Sequence, residues 1–148
     1  MSAKSTSFHG LGIAPKLLAV LEKNKFTVPT PIQEQSIPVA IEGKDIIGIA
    51  QTGTGKTMAF GIPMLQRLAR DGGQGLIVVP TRELAVQVDE SLQKIGRSFG
   101  LKTAVLIGGE AFDRQLRKLK AKAHVIIATP GRLIDHMERR TVRLETTS

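Results

Sequence analysis

The segment from Asp45 to Thr57, Asp-Ile-Ile-Gly-Ile-Ala-Gln-Thr-Gly-Thr-Gly-Lys-Thr, constrains this chain more than any other. An apolar, β-branched run (Asp45–Ala50) leads into a glycine-rich turn, and a helix-compatible stretch follows to about Arg70. Strand, glycine turn and helix in that order are the context of a phosphate loop. Glycines let the backbone close on phosphate oxygens without a Cβ clash. Successive amide N–H groups then form an anion nest at the positive end of the helix. Lys56 supplies a compact cation and Thr57 a hydroxyl suited to Mg²⁺. The strict pattern begins with glycine, whereas Ala50 stands there in this chain.

The remaining sequence repeats the strand–helix alternation that builds a parallel α/β sheet. Two helices are expected first, Ala14 to about Asn24 and Pro31 to about Glu42, the second bent at Pro38. After the buried strand Asp45–Ala50, further strands are expected at Gly75–Pro80, Lys102–Ile107 and Ala123–Ala128. Helices should follow them: one capped by Thr81 and ending near Phe99, one over Glu110–Lys120, and one from Thr129-Pro130-Gly131 to about Glu138. The fold class is therefore α/β, a parallel sheet flanked by helices.

Composition narrows the function. The chain has 148 residues and no cysteine, which excludes a disulfide scaffold, a thiol nucleophile and a cysteine-ligated zinc. The formal charge is +8, concentrated toward the end: residues 113–148 carry nine basic and four acidic side chains. Such a balance favours a polyanionic partner. With five Phe and no Trp or Tyr, a platform of stacked bases is not expected. No signal core or bilayer-length apolar run is visible, so the expectation is a cytoplasmic protein with no membrane partner.

Ala50-Gln51-Thr52-Gly53-Thr54-Gly55-Lys56-Thr57 resembles motif I of the DEAD-box RNA helicases. The likeness extends along nearly the whole chain in the family's order. Residues 25–33 (Lys-Phe-Thr-Val-Pro-Thr-Pro-Ile-Gln) are similar to the Q motif, with Lys25 where glycine is commoner. Phe8 lies 17 residues upstream of Lys25, the offset of the family's aromatic. Pro80-Thr81-Arg82-Glu83-Leu84-Ala85 matches motif Ia, Gly108-Gly109 the GG motif, and Thr129-Pro130-Gly131-Arg132 motif Ib.

The resemblance implies a P-loop, RecA-like sheet that binds ATP or ADP with Mg²⁺. In that case Gln33 reads the adenine through its amide, Phe8 stacks on it, Lys25 belongs to the same nucleotide site, and Ala50 to Thr57 hold the phosphates. Lys56 and Thr57 then serve the chemistry, and Thr57 also serves the metal. Two alternatives stay open here: Gln33 as a solvated helix residue, and Phe8 as a staple on Leu11, Leu17 or Leu18.

The resemblance also implies an RNA backbone track made of Pro80, Thr81, Arg82, Gly108, Gly109, Thr129, Pro130, Gly131 and Arg132. Such contacts grip phosphates and not bases, so binding should tolerate sequence and weaken with salt. Thr81 and Thr129 would serve equally as simple helix caps. Arg114, Arg117, Lys118, Lys120 and Lys122 read as a solvated basic face, Asp135 and Glu138 as exposed helix residues, and His124 as structural.

The namesake Asp-Glu-Ala-Asp does not occur in the 148 residues, nor does a Ser-Ala-Thr motif or a second RecA-like domain. The expectation is the N-terminal portion of a first RecA-like domain, C-terminally incomplete, with a Q-motif region at 6–34 and an ATP-binding core at 35–148. Alone it should bind ATP without hydrolysing it appreciably. Its strand at Asp45–Ala50 should expose an apolar edge prone to self-association. The competing readings are a non-catalytic nucleotide- or RNA-binding module, and a basic interaction domain whose phosphate loop is vestigial.

Overall fold

The computed structural model describes residues 7–49 and 55–144. The chain divides into two compact units, residues 1–70 and 71–148.

The first unit is helical. Helix α1 (Pro15–Lys23) places Pro15 at its first turn, where a missing N–H costs nothing. Helix α2 (Pro31–Ile41) starts the same way and continues through Pro38. Helix α3 (Lys56–Asp71) contains Pro63. Leu17 and Leu21 from α1, Ile37 from α2, and Met58, Ile62 and Leu65 from α3 are buried. Gln66 ties the N-terminal segment to α3: its Oε1 accepts from the Ala14 N–H at 2.8 Å, and its Nε2 donates to the Gly12 carbonyl at 3.0 Å.

Helix α1 ends in a left-handed cap. The Phe26 N–H donates to the Leu21 carbonyl and the Lys25 N–H to the Glu22 carbonyl. This double closure puts Lys25 at φ 65°. A glycine would sit there without strain, whereas the Cβ of Lys25 is strained at this φ.

The second unit is a parallel sheet. Strands β1 (Gly75–Val78), β2 (Thr103–Leu106) and β3 (Val125–Ala128) lie in the order β1-β3-β2. The register pairs Leu76 and Ala104 with Ile126, and Val78 and Leu106 with Ala128. Side chains of paired residues share a face. Ala104, Leu106, Ile126 and Ala128 pack on one face with Leu133 and Val142, and Leu119 lies against this cluster. Thr103, on the opposite face, donates through Oγ1 to Asp89 at 2.6 Å and accepts from Gln93 at 3.1 Å. Both partners belong to helix α4 (Arg82–Gly96), which buries Val88, Leu92 and Ile95. Helices α5 (Phe112–Lys120) and α6 (Pro130–Glu138) complete the unit. Gly100, at φ 73°, ends the short 3₁₀ turn that follows α4.

One expected strand is not formed. Residues 45–49 pair with no strand among the described residues, and Ala50 lies outside them. Ile47 is 94% exposed and Ile49 90%, where a buried strand was expected. A sequence suited to the centre of a sheet becomes a strand only when neighbours complete its ladder, because an extended segment cannot satisfy its own N–H and C=O groups.

Candidate functional site

The predicted phosphate loop falls largely on undescribed positions. Ala50, Gln51, Thr52, Gly53 and Thr54 lie outside the described residues; Gly55, Lys56 and Thr57 lie within them. Lys56 opens α3 and is exposed, and Thr57 is half-buried in the same first turn. Gly55 has φ 86°, and its carbonyl accepts the first intrahelical bond, from the Ala59 N–H at 3.1 Å. A Cβ at Gly55 would run into the Gln33 side-chain amide.

Gln33 is 5% exposed, so the solvated alternative fails. Its Oε1 accepts from the Thr30 N–H at 2.9 Å, and its Nε2 donates to the Gly55 carbonyl at 3.1 Å. The amide thus joins the start of α2 to the start of α3. Each end keeps one further lone pair or N–H for a ligand. The Thr30 hydroxyl oxygen, 3.0 Å from where a Gly55 Cβ would stand, is buried and faces the Gln33 backbone N–H in the capping box of α2. Phe8 is 4% exposed, which favours the packing role for its ring. A glycine turn at φ 86° and an exposed lysine at a helix start fit a polyphosphate. Among the described residues no group of three or more His, Cys, Asp or Glu is placed to hold a metal. A cation here would rest chiefly on phosphate oxygens, with the Thr57 hydroxyl as protein donor.

The second unit brings together residues far apart in sequence. Parallel strands present their carboxyl ends at one edge, where α/β proteins place their ligands. An open groove of about 640 Å³ lies there, lined by Pro80, Thr81, Arg82, Gly108, Thr129, Gly131, Arg132 and Asp135. Seven of these are residues predicted from the motifs. Gly109 lies close by: at φ 79°, a Cβ on it would stand 2.7 Å from the Arg82 Nη1. Pro130 occupies the first turn of α6.

The two threonines differ. The Thr81 Oγ1 accepts from the Leu84 N–H at 3.1 Å, a genuine helix cap. Thr129 makes no side-chain cap bond at α6, so its hydroxyl remains available. Both helix starts add positive potential to the groove.

Motif reasoning missed the support beneath Arg132. Its Nη1 donates to the Glu110 carbonyl and to the Gln115 Oε1, each at 3.1 Å, and its Nε lies 3.6 Å from the Asp135 carboxylate. Asp135 therefore lines the groove as an ion-pair partner and is not merely an exposed helix residue. The i,i+3 spacing from Arg132 was the available signal. Gln115 is 1% exposed and His136 0%. His136 stacks on Phe112 with ring centroids 4.1 Å apart. Burial first, and the Arg132 guanidinium second, hold its imidazole below the ordinary histidine range. His124 is structural, as expected: its Nδ1 accepts from the Lys102 N–H at 2.9 Å.

A parallel sheet with loops and helix starts at its carboxyl edge, together with a Gly-Lys-Thr helix start, defines a P-loop, RecA-like α/β protein. Residues 30–148 match the DEAD/DEAH box helicase family, and the chain belongs to that family. It is 48% identical over 142 residues to the DEAD-box ATP-dependent RNA helicase CshA of Bacillus cereus, covering 95% of this chain and 27% of that protein. It is 50% identical over 137 residues to the ATP-dependent rRNA helicase RRP3 of Debaryomyces hansenii, covering 91% of this chain and 29% of that protein. The chain thus spans little more than a quarter of the length of these relatives. Among solved structures, a DEAD box protein from Methanococcus jannaschii matches with a TM-score of 0.89 at 33% identity, over 99% of this chain and 40% of that one. The RNA helicase Prp28 from Chaetomium thermophilum bound to ADP matches with a TM-score of 0.88 at 34% identity, over 99% and 38%. No helix of the described residues is long and apolar enough to cross a membrane.

Proposed function

We propose that this chain supplies the adenine-nucleotide site and one part of the RNA track of an ATP-dependent RNA helicase. The observation that carries the reading is the groove at the carboxyl ends of β1, β2 and β3, which gathers seven residues predicted from three separate motifs. A groove bordered by two arginines, an available threonine hydroxyl and two helix starts suits a phosphodiester backbone and offers little to distinguish bases. RNA is the favoured polyanion because the chain's family members CshA and RRP3 are named RNA helicases.

On the nucleotide side, Lys56 neutralises phosphate charge, the Gly55 turn admits the phosphates closely, and Gln33 offers its remaining donor and acceptor to an adenine edge. The Thr57 hydroxyl and the phosphate oxygens would hold Mg²⁺, which would supply positive charge against the phosphate oxygens. The 148 residues contain no Asp-Glu-Ala-Asp, the sequence whose carboxylates the family uses on water and metal. The polypeptide therefore binds ATP and RNA without appreciable turnover.

Titrating the 148-residue protein with ATP, ADP and GTP tests this. The expected result is adenine-selective binding lost in Lys56→Ala, with no RNA-stimulated phosphate release. Equal affinity for GTP, or RNA-stimulated release abolished by Lys56→Ala, contradicts it.

A further inference from the structure

We propose that Gln115 and His136 are positioning residues that aim the Arg132 guanidinium at the RNA groove; this rests on the reading of that groove as an RNA track. The Gln115 amide is the hub. Its Nε2 donates to the Ile107 carbonyl at 2.8 Å, just before Gly108. That bond fixes the amide orientation and makes Oε1 an acceptor. Oε1 then takes two donors, the Arg132 Nη1 at 3.1 Å and the His136 Nε2 at 2.9 Å. One buried side chain thereby joins the turn after β2 to the first helical turn after β3, two of the three loops that form the groove.

His136 is held in its turn. Its Nδ1 lies 2.7 Å from the Thr141 Oγ1, and its ring stacks on Phe112. With a proton on Nε2 the neutral imidazole donates to Gln115, and Nδ1 accepts from the Thr141 hydroxyl, whose single proton is then shared between Nδ1 and the His136 carbonyl 2.9 Å away. Arg139 lies over the Phe112 ring with Cζ 4.2 Å from the centroid, which steadies the stack from a third side chain.

A buried chain of this kind is an expensive way to fill space among Ile, Leu and Val. Aliphatic side chains would fill the volume without polar groups that need partners. What the chain achieves is orientation. Arg132 is anchored through Nη1 and Nε, which leaves its Nη2 donors uncommitted in those bonds and the side chain only 17% exposed. A guanidinium whose rotamers are already restricted loses less entropy when it binds a phosphate. The Arg132–Asp135 pair alone would not fix it, since an ion pair on a half-exposed surface is weak and mobile.

The test combines a spectroscopic and a binding readout on the 148-residue protein. Gln115→Met keeps length and burial while removing both functions of the amide; Thr141→Val is a milder, half-exposed alternative should Gln115→Met fold poorly. The probe is a fluorescein-labelled single-stranded RNA of mixed sequence. The expected result is loss of solvent protection at the Arg132 Nε–H resonance and a roughly fivefold or greater loss of RNA affinity, with ATP affinity unchanged. In an Arg132→Ala background the same substitutions should weaken RNA binding no further. An unchanged Arg132 Nε–H resonance in folded variants overturns the positioning role whatever RNA does. Equal losses with and without Arg132 overturn it too, because the effect would then be general loosening. If the wild-type protein binds no RNA while its Arg132 Nε–H is protected, the groove reading has failed, and the proposal fails with it.

Discussion

Gln33 donates through Nε2 to the Gly55 carbonyl at 3.1 Å, so the side chain expected to read adenine also grips the backbone just before Lys56. The amide proposed to recognise the base therefore also holds the backbone at Gly55. Gln33→Ala should lower stability by about 1–2 kcal/mol, since a buried amide with two backbone partners is removed. It should also narrow the preference for ATP over GTP. Thermal melts and isothermal titration with both nucleotides check this.

Lys25 stands at φ 65° in the cap of α1. The Cβ penalty at that conformation disappears with glycine. Lys25→Gly should therefore stabilise the protein by about 0.5–1 kcal/mol in chemical denaturation. The gain is unusual for a glycine substitution, which ordinarily costs stability through the unfolded state.

The two glycines after β2 are constrained by different things. Gly109 has φ 79°, and a Cβ there would meet the Arg82 guanidinium. At Gly108 a Cβ would meet nothing within 4 Å, and its φ is not in the left-handed region. Gly109→Ala should therefore lower stability by about 1 kcal/mol or more and displace Arg82. Gly108→Ala should leave stability within about 0.5 kcal/mol of wild type yet weaken RNA binding, if a phosphate backbone passes close to it. Melts and RNA titrations of the pair separate folding from recognition.

The depressed His136 pKa gives stability a pH dependence of definite sign. The unfolded chain binds the proton more readily than the folded one, so its contribution is present above the ordinary histidine range and is lost as pH falls through the folded value. Arg132 and Arg139 reinforce the shift, and Asp135 opposes it. Stability should decline as pH falls through and below the ordinary histidine range, and His136→Phe, which keeps a ring against Phe112, should flatten that decline. Denaturant midpoints measured across this range check it.

The elements announced by local chemistry were legible in the sequence. Pro15 and Pro31 mark helix starts, Thr81 caps α4, Gly100 stops the turn after it, and the runs around Ile77, Val105 and Ile126 are strands. The segment at Asp45–Ile49 was misjudged because strand formation depends on neighbours, which local pattern does not report. The groove was legible because motif residues sit next to strand ends, and a parallel sheet brings those ends together. The polar chain beneath it was not legible: Gln115 and His136 are 21 residues apart, and nothing in either local sequence distinguishes a buried glutamine from one on a basic surface helix.

The carboxyl edge of this sheet is proposed to grip an RNA backbone through Arg82 and Arg132. The most direct measurement is the affinity of labelled single-stranded RNA as a function of KCl concentration, for wild type, Arg82→Ala and Arg132→Ala. Sequence-tolerant binding and weaker affinity in both variants are expected. The slope of log K against log salt should become shallower by roughly 0.7 for each arginine removed, with ATP affinity unchanged. Wild-type affinity and wild-type slope in both variants would contradict it.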